Sequence, residues 1–208
     1  VQLYWSGIFN RVTMLSVKSF LYQTKILWRI NLWRENTTIF IDKTKEQLEF
    51  LNISMVLFDL ENEIKNTPFM LFSQTKPWEN KTKYAGWNPL SIKSDFIRLI
   101  LLYKYGGLYF DLDILFLSPP ENLIFHFKEF VGTWATSRFL TNNNLMYFNR
   151  KNIEQLIHAV VEENLAASYF GLSFLSYRHL TTLKVKIFSA CETDICWGCQ
   201  PCKFNFIF

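Results

Sequence analysis

The sequence predicts an α/β fold in which a mostly parallel sheet is flanked by helices. A β-branched apolar run at 37–41, a polar segment with helical spacing at 43–51 and a second apolar run at 53–58 form the strand–helix–strand unit of such a sheet. A capped helix then leads directly into a short apolar strand at 108–110. Half of the 208 residues are apolar, which allows a sizeable core and argues against disorder. No repeat or linker divides the chain, so we expect one domain.

The elements around this unit follow from weaker patterns. Apolar residues at helical spacing predict a helix near 17–24, and an acidic stretch at 59–66 predicts a turn or short helix. The segment 69–88 has Pro77 and many polar residues, so we expect it to be irregular. Further elements are predicted as strands at 130–134 and 145–148 and as a helix at 151–167.

The clearest helix precedes the strand at 108–110. Asn88 is a favourable N-cap and Pro89 suits the first helical position. An apolar stripe follows at the spacing of one helix face and is formed by Ile92, Phe96, Leu99, Ile100 and Tyr103. Gly106 and Gly107 end the helix with a left-handed cap. The strand is predicted to extend through 114–117, where Pro119 and Pro120 stop it.

The charge distribution narrows the class of ligand. The chain has 22 basic and 18 acidic residues spread along its length, for a net charge of +4. This balance is too mild for a nucleic-acid surface but tolerates a small anion such as a nucleotide diphosphate. No apolar run reaches the roughly 18–20 residues of a membrane span, and the N-terminus lacks a signal-peptide pattern. The chain starts with Val1 rather than methionine, so we expect it to be a fragment. The lack of a membrane anchor in this sequence is therefore not evidence for a cytosolic protein.

The cysteines, the histidines and the glycosylation sequons leave open whether the chain has disulfides or a metal site and whether it enters the secretory pathway. The four cysteines lie at the C-terminal end, at Cys191, Cys196, Cys199 and Cys202. Their even count suits disulfides and their crowding suits a metal, but the two separated pairs of a zinc ribbon are absent. The histidines lack the spacing of metal ligands and are His126, His158 and His179. The three sequons indicate the secretory pathway weakly and begin at Asn36, Asn52 and Asn80.

Asp111 and Asp113 carry the strongest chemical indication. On an extended strand their side chains project to one side, whereas Leu112 points into the core. Two neighbouring carboxylates favour a hard divalent cation with oxygen ligands, of which Mn²⁺ and Mg²⁺ are the natural candidates. Such a cation stabilises negative charge on a departing nucleoside diphosphate. The site is expected beyond the carboxyl end of the strand, where open α/β sheets bind ligands.

The preceding helix contributes a second pair. Asp95 and Arg98 stand at i and i+3 and share a helix face. A surface ion pair is the plain interpretation, but the helix is mostly apolar, which equally favours a buried pair oriented toward the site. Gly106 and Gly107 either let the backbone approach a ligand or simply make the turn, and we give the turn more weight.

The run from Ser94 to Asp113 resembles a known family signature. It is similar to the sugar-binding region of the α-1,4-glycosyltransferases, a family of galactosyl- and N-acetylglucosaminyltransferases, and yeast initiating α-1,6-mannosyltransferases share its shorter pattern. The resemblance extends beyond the run on both sides, over 59–68, 87–89, 142–150 and 180–196.

The resemblance implies a type A glycosyltransferase fold that moves a hexose from a UDP-sugar to a glycolipid or glycoprotein glycan. It implies an α-1,4 linkage formed with retention, Mn²⁺ or Mg²⁺ as the metal, and a type II membrane protein of the Golgi lumen whose anchor is absent from this chain. Disulfides are then favoured for the cysteines. Asp111 and Asp113 match the metal motif. The donor-binding residues carried over are Asp95, Arg98, Gly106, Gly107, Asp111 and, more loosely, Asn142.

This interpretation makes 1–208 one catalytic domain, truncated at both ends, with a donor and metal core at about 36–150 and part of the family's C-terminal region at 151–208. The segment 169–174 lacks the Gly-Pro loop of the family, so the alternative is a carbohydrate- or nucleotide-sugar-binding pseudo-enzyme on the same fold. A weaker alternative is a small metal-binding protein that uses the cysteines. The sequence indicates no catalytic nucleophile or base.

Overall fold

A computed structural model describes residues 1–70, 89–133, 141–167, 180 and 184–188. The strands described are β1 (Gln2–Trp5), β2 (Ile8–Phe9), β3 (Asn31–Arg34), β4 (Ile39–Phe40), β5 (Ser54–Leu57), β6 (Gly107–Phe110), β7 (Phe130–Thr133), β8 (Thr141–Phe148) and β9 (Lys186–Phe188). The helices described are α1 (Arg11–Gln23), α2 (Thr44–Phe50), α3 (Leu60–Ile64), α4 (Pro89–Tyr105), α5 (Pro120–Phe127) and α6 (Arg150–Ala167).

Seven of these strands form one sheet in the order β5-β3-β1-β6-β8-β7-β9. The pairs β5/β3, β3/β1, β1/β6 and β7/β9 are parallel, whereas β8 runs antiparallel to both β6 and β7. Six strands therefore share one direction and β8 opposes them. This arrangement confirms the predicted α/β class with a mostly parallel sheet.

Alternating side chains give the sheet two covered faces. Tyr4, Trp33 and Tyr109 belong to the apolar cluster that includes α4 and α6. The neighbouring positions Leu3, Leu32, Leu108 and Phe110 pack on the opposite face with residues of α1, α2 and α5. Helices on both faces explain why these short strands are apolar on both sides.

The segment from α4 to β6 has the predicted local structure. Pro89 begins the helix, and the N–H of Gly106 donates to the carbonyl of Leu102 at 2.8 Å where it ends. Gly106 and Gly107 have φ values of +62° and +91°, which favour glycine. The proposed N-cap, Asn88, and most of the predicted irregular segment lie outside the described residues.

The first predicted strand–helix–strand unit is wrong in its connectivity. The run 37–41 contains β4, but β4 pairs with β2 in a separate two-stranded sheet and does not neighbour β5. The strand beside β5 is β3, which pairs from Asn31 opposite Ser54 to Arg34 opposite Leu57. The parallel units are thus β1–α1–β3 and β3–α2–β5, and their first two strands were not predicted from the sequence.

The predicted strand extension at 114–117 is also wrong. The N–H of Ile114 donates to the carbonyl of Asp111 at 3.1 Å, so the chain turns directly after β6. Pro120 does not merely stop a strand but occupies the first position of α5, where a missing N–H costs nothing. Within the described residues, each helix is too short or too polar to cross a bilayer.

Candidate functional site

Polar side chains gather at the carboxyl edge of the parallel strands. β1, β3 and β6 end at Trp5, Arg34 and Phe110, and the residues that follow include Glu35 and Asp111. Because parallel strands end at the same edge, these carboxylates lie on one rim of the sheet. α4 packs over β1 and β6, so its N-terminal half reaches the same rim.

Arg98 is the centre of the site. Its side chain is 6% exposed and lies 3.1 Å from Asp95 Oδ1 through Nη2 and 3.1 Å from Asp111 Oδ2 through Nη1. Nη1 also donates to the carbonyl of Asn143 at 3.0 Å, and Nε and Nη2 donate to the carbonyl and hydroxyl oxygens of Ser94. The guanidinium lies over the ring of Tyr109, 5.1 Å from its centroid. Arg98 is thus buried and Asp95 partly exposed, so the pair is not the plain surface ion pair that was one of the two alternatives from the sequence.

Asp111 is held by both of its oxygens. Oδ2 accepts from Arg98, and Oδ1 accepts from the hydroxyl of Tyr109 at 2.9 Å. Burial raises the pKa of Asp111 to about 6; the Arg98 charge opposes this rise, whereas the neighbouring Asp113 adds to it. Burial also raises the pKa of Tyr109 well above its ordinary value, so its hydroxyl remains a donor.

Asp113 does not continue the strand as the sequence predicts. The turn from Asp111 to Ile114 places it on an exposed position, while Leu112 is buried as expected. The two carboxylates therefore differ: Asp111 is fixed by donors from the protein, and Asp113 faces solvent. The extended geometry that would put both on one side by strand alternation is absent here, yet Asp113 remains close enough to influence Asp111.

β8 delivers a residue that the sequence did not identify. The side-chain amide of Asn143 donates to Asp95 Oδ1 at 2.9 Å, and the carbonyl of Asn144 accepts from the N–H of Asp111 at 2.7 Å. Asn142, the predicted donor-binding residue, lies opposite Gly132 on β8, and its side chain is outside the described part. Three consecutive asparagines were visible in the sequence, but which one faces Asp95 depends on the register between β6 and β8.

Gly106 and Gly107 lie at the other end of α4, away from the carboxyl rim. A Cβ on Gly106 would meet its nearest backbone atoms at 3.6 Å or more, and one on Gly107 would meet nothing within 4 Å. Their positive φ values, rather than close packing, account for glycine at both positions.

The side chains at the rim fit a divalent cation together with a diphosphate. Two carboxylates, Asp95 and Asp111, contact the Arg98 guanidinium, and the charge of a third, Asp113, acts on Asp111, so this group retains excess negative charge. Across the described residues no group of three or more His, Cys, Asp or Glu side chains could hold a metal by itself. Mg²⁺-type sites commonly use one or two carboxylates and complete their coordination with substrate phosphates and water. The cysteines and the segment 169–174 lie outside the described residues.

Comparison with protein families gives a match over more than half of the chain. A family model described as a glycosyltransferase sugar-binding region containing a DXD motif matches residues 14–130. That span includes most of α1, the Asp95–Arg98 pair and the Asp111–Asp113 motif.

Curated relatives match about half of the chain. Lactosylceramide 4-alpha-galactosyltransferase is 30% identical over 105 residues, which are 50% of this chain, and the match covers 26% of the Homo sapiens protein and 42% of the Pongo pygmaeus one. Alpha-1,4-N-acetylglucosaminyltransferase of Homo sapiens is 34% identical over 93 residues, or 44% of this chain and 24% of that protein. The match thus spans less than half the length of these relatives.

A solved structure with a similar fold is the PaToxG glycosyltransferase. It superposes with a TM-score of 0.54 over 88% of this chain and 67% of the other, at 16% identity. At that identity the likeness concerns the fold, and it agrees with the type A glycosyltransferase architecture that the resemblance implied.

Proposed function

Because the chain belongs to the glycosyltransferase family whose sugar-binding region contains a DXD motif, we propose that it moves a hexose from a UDP-sugar to a glycan, using a cation held by Asp111 and Asp113. The observation that carries this proposal is the Arg98-centred network, in which one guanidinium contacts both Asp95 and Asp111 at 3.1 Å. Such a network fixes Asp111 before any ligand arrives, and preorganised charge is the main means by which enzymes stabilise transition states.

The proposed roles follow from position and chemistry. Asp111 and Asp113 would hold Mn²⁺ or Mg²⁺, which would supply stabilisation of the negative charge on the departing diphosphate. Asp95 and Asn143 present hydrogen-bonding groups beside Arg98 and orient the sugar of the donor. Asn142 remains a candidate donor ligand. Gly106 and Gly107 serve the donor site indirectly, because the turn they make sets where β6 begins.

The finer specificity rests on the relatives. Their names indicate galactose or N-acetylglucosamine as the transferred sugar and an α-1,4 linkage. For this chain we extend the proposal to transfer with retention onto a glycolipid or glycoprotein glycan. A Golgi-lumen enzyme anchored as a type II membrane protein, with the cysteines in disulfides, is part of the same proposal.

The test is a donor screen that measures UDP release. The full-length protein is given UDP-galactose, UDP-N-acetylglucosamine and UDP-glucose in Mn²⁺, with and without excess EDTA. We expect release with at least one donor, its loss in EDTA, and a fall of about 100-fold or more in Asp113→Asn. Asp42→Asn, which changes an exposed carboxylate that pairs with Arg11 and is not in the Arg98 network, is the matched control and should keep its rate.

A binding measurement distinguishes a sugar-transferring enzyme from the pseudo-enzyme alternative. That alternative is favoured by the segment 169–174, which lacks the Gly-Pro loop of the family. Titration of UDP in Mn²⁺ reports binding in the absence of turnover. Metal-dependent UDP binding without release from any donor would support the pseudo-enzyme. Neither binding nor release would overturn the proposed site.

A further inference from the structure

α4 carries three clusters built from the same chemical groups. In each, a cation on the helix meets a carboxylate that also accepts from a tyrosine hydroxyl. The Arg98 cluster consists of Arg98, Asp111 and Tyr109. The Lys93 cluster consists of Lys93, Glu35 and Tyr4, and the Lys104 cluster consists of Lys104, Glu63 and Tyr105.

The Lys93 cluster lies on the same rim as the proposed donor site. Lys93 Nζ and the Tyr4 hydroxyl each lie 2.6 Å from Glu35 Oε1. Glu35 follows the last residue of β3, and its N–H donates to the carbonyl of Trp5 at the end of β1. The cluster therefore joins the first turns of α4 to the carboxyl ends of two strands.

Adjacent strands and the same helix connect the Lys93 cluster with the Arg98 cluster. Gln2 of β1 pairs with Tyr109 of β6, so Tyr4, two positions later, lies level with Asp111, the residue that follows β6, and faces α4 as Tyr109 does. Lys93 and Arg98 thus attach the same two turns of α4 to opposite halves of the sheet. Asp95, between them in sequence, has a side chain that is 28% exposed and bonds within the described residues to Arg98 and Asn143.

The contacts are stronger than those of an ordinary surface pair. The side chains of Lys93 and Glu35 are 24% and 20% exposed, and the hydrogen bonds are short and charge-assisted. Burial favours the neutral form of Glu35, but the hydrogen bonds from Lys93 and Tyr4 outweigh it and lower its pKa. Glu35 is accordingly ionised at neutral pH.

We propose that Glu35 and Lys93 are positioning residues that hold the first turns of α4, and with them Asp95 and Arg98, in register with Asp111. The proposal rests on the proposed function. The ends of a helix fray unless contacts with the rest of the protein hold them in place. Small displacements of the residues that bind the donor lower turnover sharply. The competing interpretation is that Lys93 or Glu35 binds the donor directly.

The Lys104 cluster provides a matched control. It has the same cation, carboxylate and phenol, a Lys–Glu distance of 2.7 Å and exposures of 26% and 14%. It lies on the same helix but at the end that leads into β6, opposite the rim. Loss of this cluster should affect stability as much as loss of the Lys93 cluster, without moving Asp95.

The experiment compares variants in both clusters. Glu35→Gln, Lys93→Met and their double variant are measured beside Lys93→Arg, Glu63→Gln and Lys104→Met. We expect each single variant in the Lys93 cluster to lower kcat by about tenfold with little change in KM for the donor. The double variant should be no worse than either single one, because both remove the same contact. Lys93→Arg should recover most of the rate, and the Lys104-cluster variants should keep it.

Hydrogen exchange of the amides of residues 93–98, which bond within the first turns of α4, gives a readout that needs no donor. In Lys93→Met these amides should exchange about tenfold faster while thermal unfolding stays cooperative, whereas Lys104→Met should leave them unchanged. Unchanged exchange, additive losses in the double variant, a loss confined to donor KM, or an equal rate loss in the Lys104 cluster would each overturn the proposal. A wild-type protein that releases no UDP overturns the proposed function instead, and exchange alone then decides whether Lys93 anchors the helix.

Discussion

Arg98 Nη1 lies 3.1 Å from Asp111 Oδ2 and joins the middle of α4 to the residue that follows β6. The same nitrogen donates to the carbonyl of Asn143, so one guanidinium connects α4, β6 and β8. The position of the Asp111–Asp113 motif therefore depends on strand β6, which precedes it, and also on Arg98, which contacts Asp111 from α4. Arg98 is therefore a candidate both for stabilising the fold and for binding the donor.

Replacement of Arg98 should lower stability substantially. Arg98→Met leaves Asp95 and Asp111 without their cation, and loss of one partner of a buried pair costs about 3 kcal/mol. Arg98→Lys keeps the charge but not the planar fork, so it should recover only part of that free energy. Urea denaturation at neutral pH measures both. Arg11→Met, whose exposed ion pair spans 3.6 Å, should change the free energy of unfolding by less than about 0.5 kcal/mol; an equally small change in Arg98→Met would contradict the prediction.

Tyr109→Phe should also destabilise the protein. It removes the hydroxyl that donates to Asp111 Oδ1 at 2.9 Å and leaves that carboxylate oxygen without this donor. The expected loss in unfolding free energy is about 1–2 kcal/mol. Tyr103→Phe is the control, because in the described residues the Tyr103 ring makes aromatic contacts but its hydroxyl makes no hydrogen bond. Equal stabilities for the two variants would show that the hydroxyl–Asp111 contact contributes nothing.

The helix α4 and strand β6 could be predicted because their determinants are local. Pro89 starts the helix and Gly106 ends it, and the apolar stripe between them needs no knowledge of distant residues. The family signature lies in the same stretch. In this stretch the local sequence pattern and the family signature point to the same residues. Helix α4, strand β6 and their candidate site residues could therefore all be identified from the sequence.

The strands β1 and β3 could not be predicted in this way. Each has four residues, and Gln2 and Asn31 interrupt their apolar pattern. Gln2 is buried because its side-chain oxygen accepts from Trp33 Nε1 at 2.8 Å and from Asn31 Nδ2 at 3.2 Å. A buried polar residue with partners from another strand looks, in sequence, like an exposed one.

That Asn143 is the asparagine that contacts Asp95 could not be predicted for a similar reason. Residues two apart on a strand share a face, so a one-residue shift in register exchanges which asparagine meets Asp95. β7 and β8 also shift register between Val131 and Gly132, which no local pattern indicates. The turn after Asp111 likewise depends on its backbone bond to Asn144.

Gly106 should tolerate asparagine better than valine. Its φ of +62° is in the left-handed region, where asparagine is accommodated and a β-branched side chain is not. A Cβ would find ordinary contacts of 3.6 Å or more, so backbone strain decides the outcome. We expect Gly106→Val to cost about 2 kcal/mol and Gly106→Asn about half as much. Thermal unfolding of the two variants checks the order, and a less stable asparagine variant would contradict it.

Glu121 should make the fold sensitive to acid. Its Oε1 accepts from the Thr24 hydroxyl, from the N–H groups of Lys25 and Ile26, and from Trp28 Nε1 at 3.0 Å. Burial opposes ionisation, but these donors prevail and lower the pKa of Glu121 below its ordinary value. Because the folded-state pKa is the lower one, the stabilisation is complete above the unfolded-state pKa of about 4.3 and is lost as the pH falls through the folded-state value.

Glu121→Gln tests this dependence. Glutamine keeps an oxygen for the donors, but its Nε2 replaces Oε2, which is buried and has no hydrogen-bond partner among the described residues. At pH 7 the variant should lose about 1–3 kcal/mol of unfolding free energy, since a charged acceptor is lost and a buried donor is left unsatisfied. The difference from wild type should narrow as the pH falls below about 4, where the wild-type carboxyl takes up its proton. Glu46→Gln, on the exposed first turn of α2, should show a small difference at both pH values; a gap for Glu121→Gln that stays constant with pH would mean that the charge of Glu121 does not stabilise the α1–β3 connection.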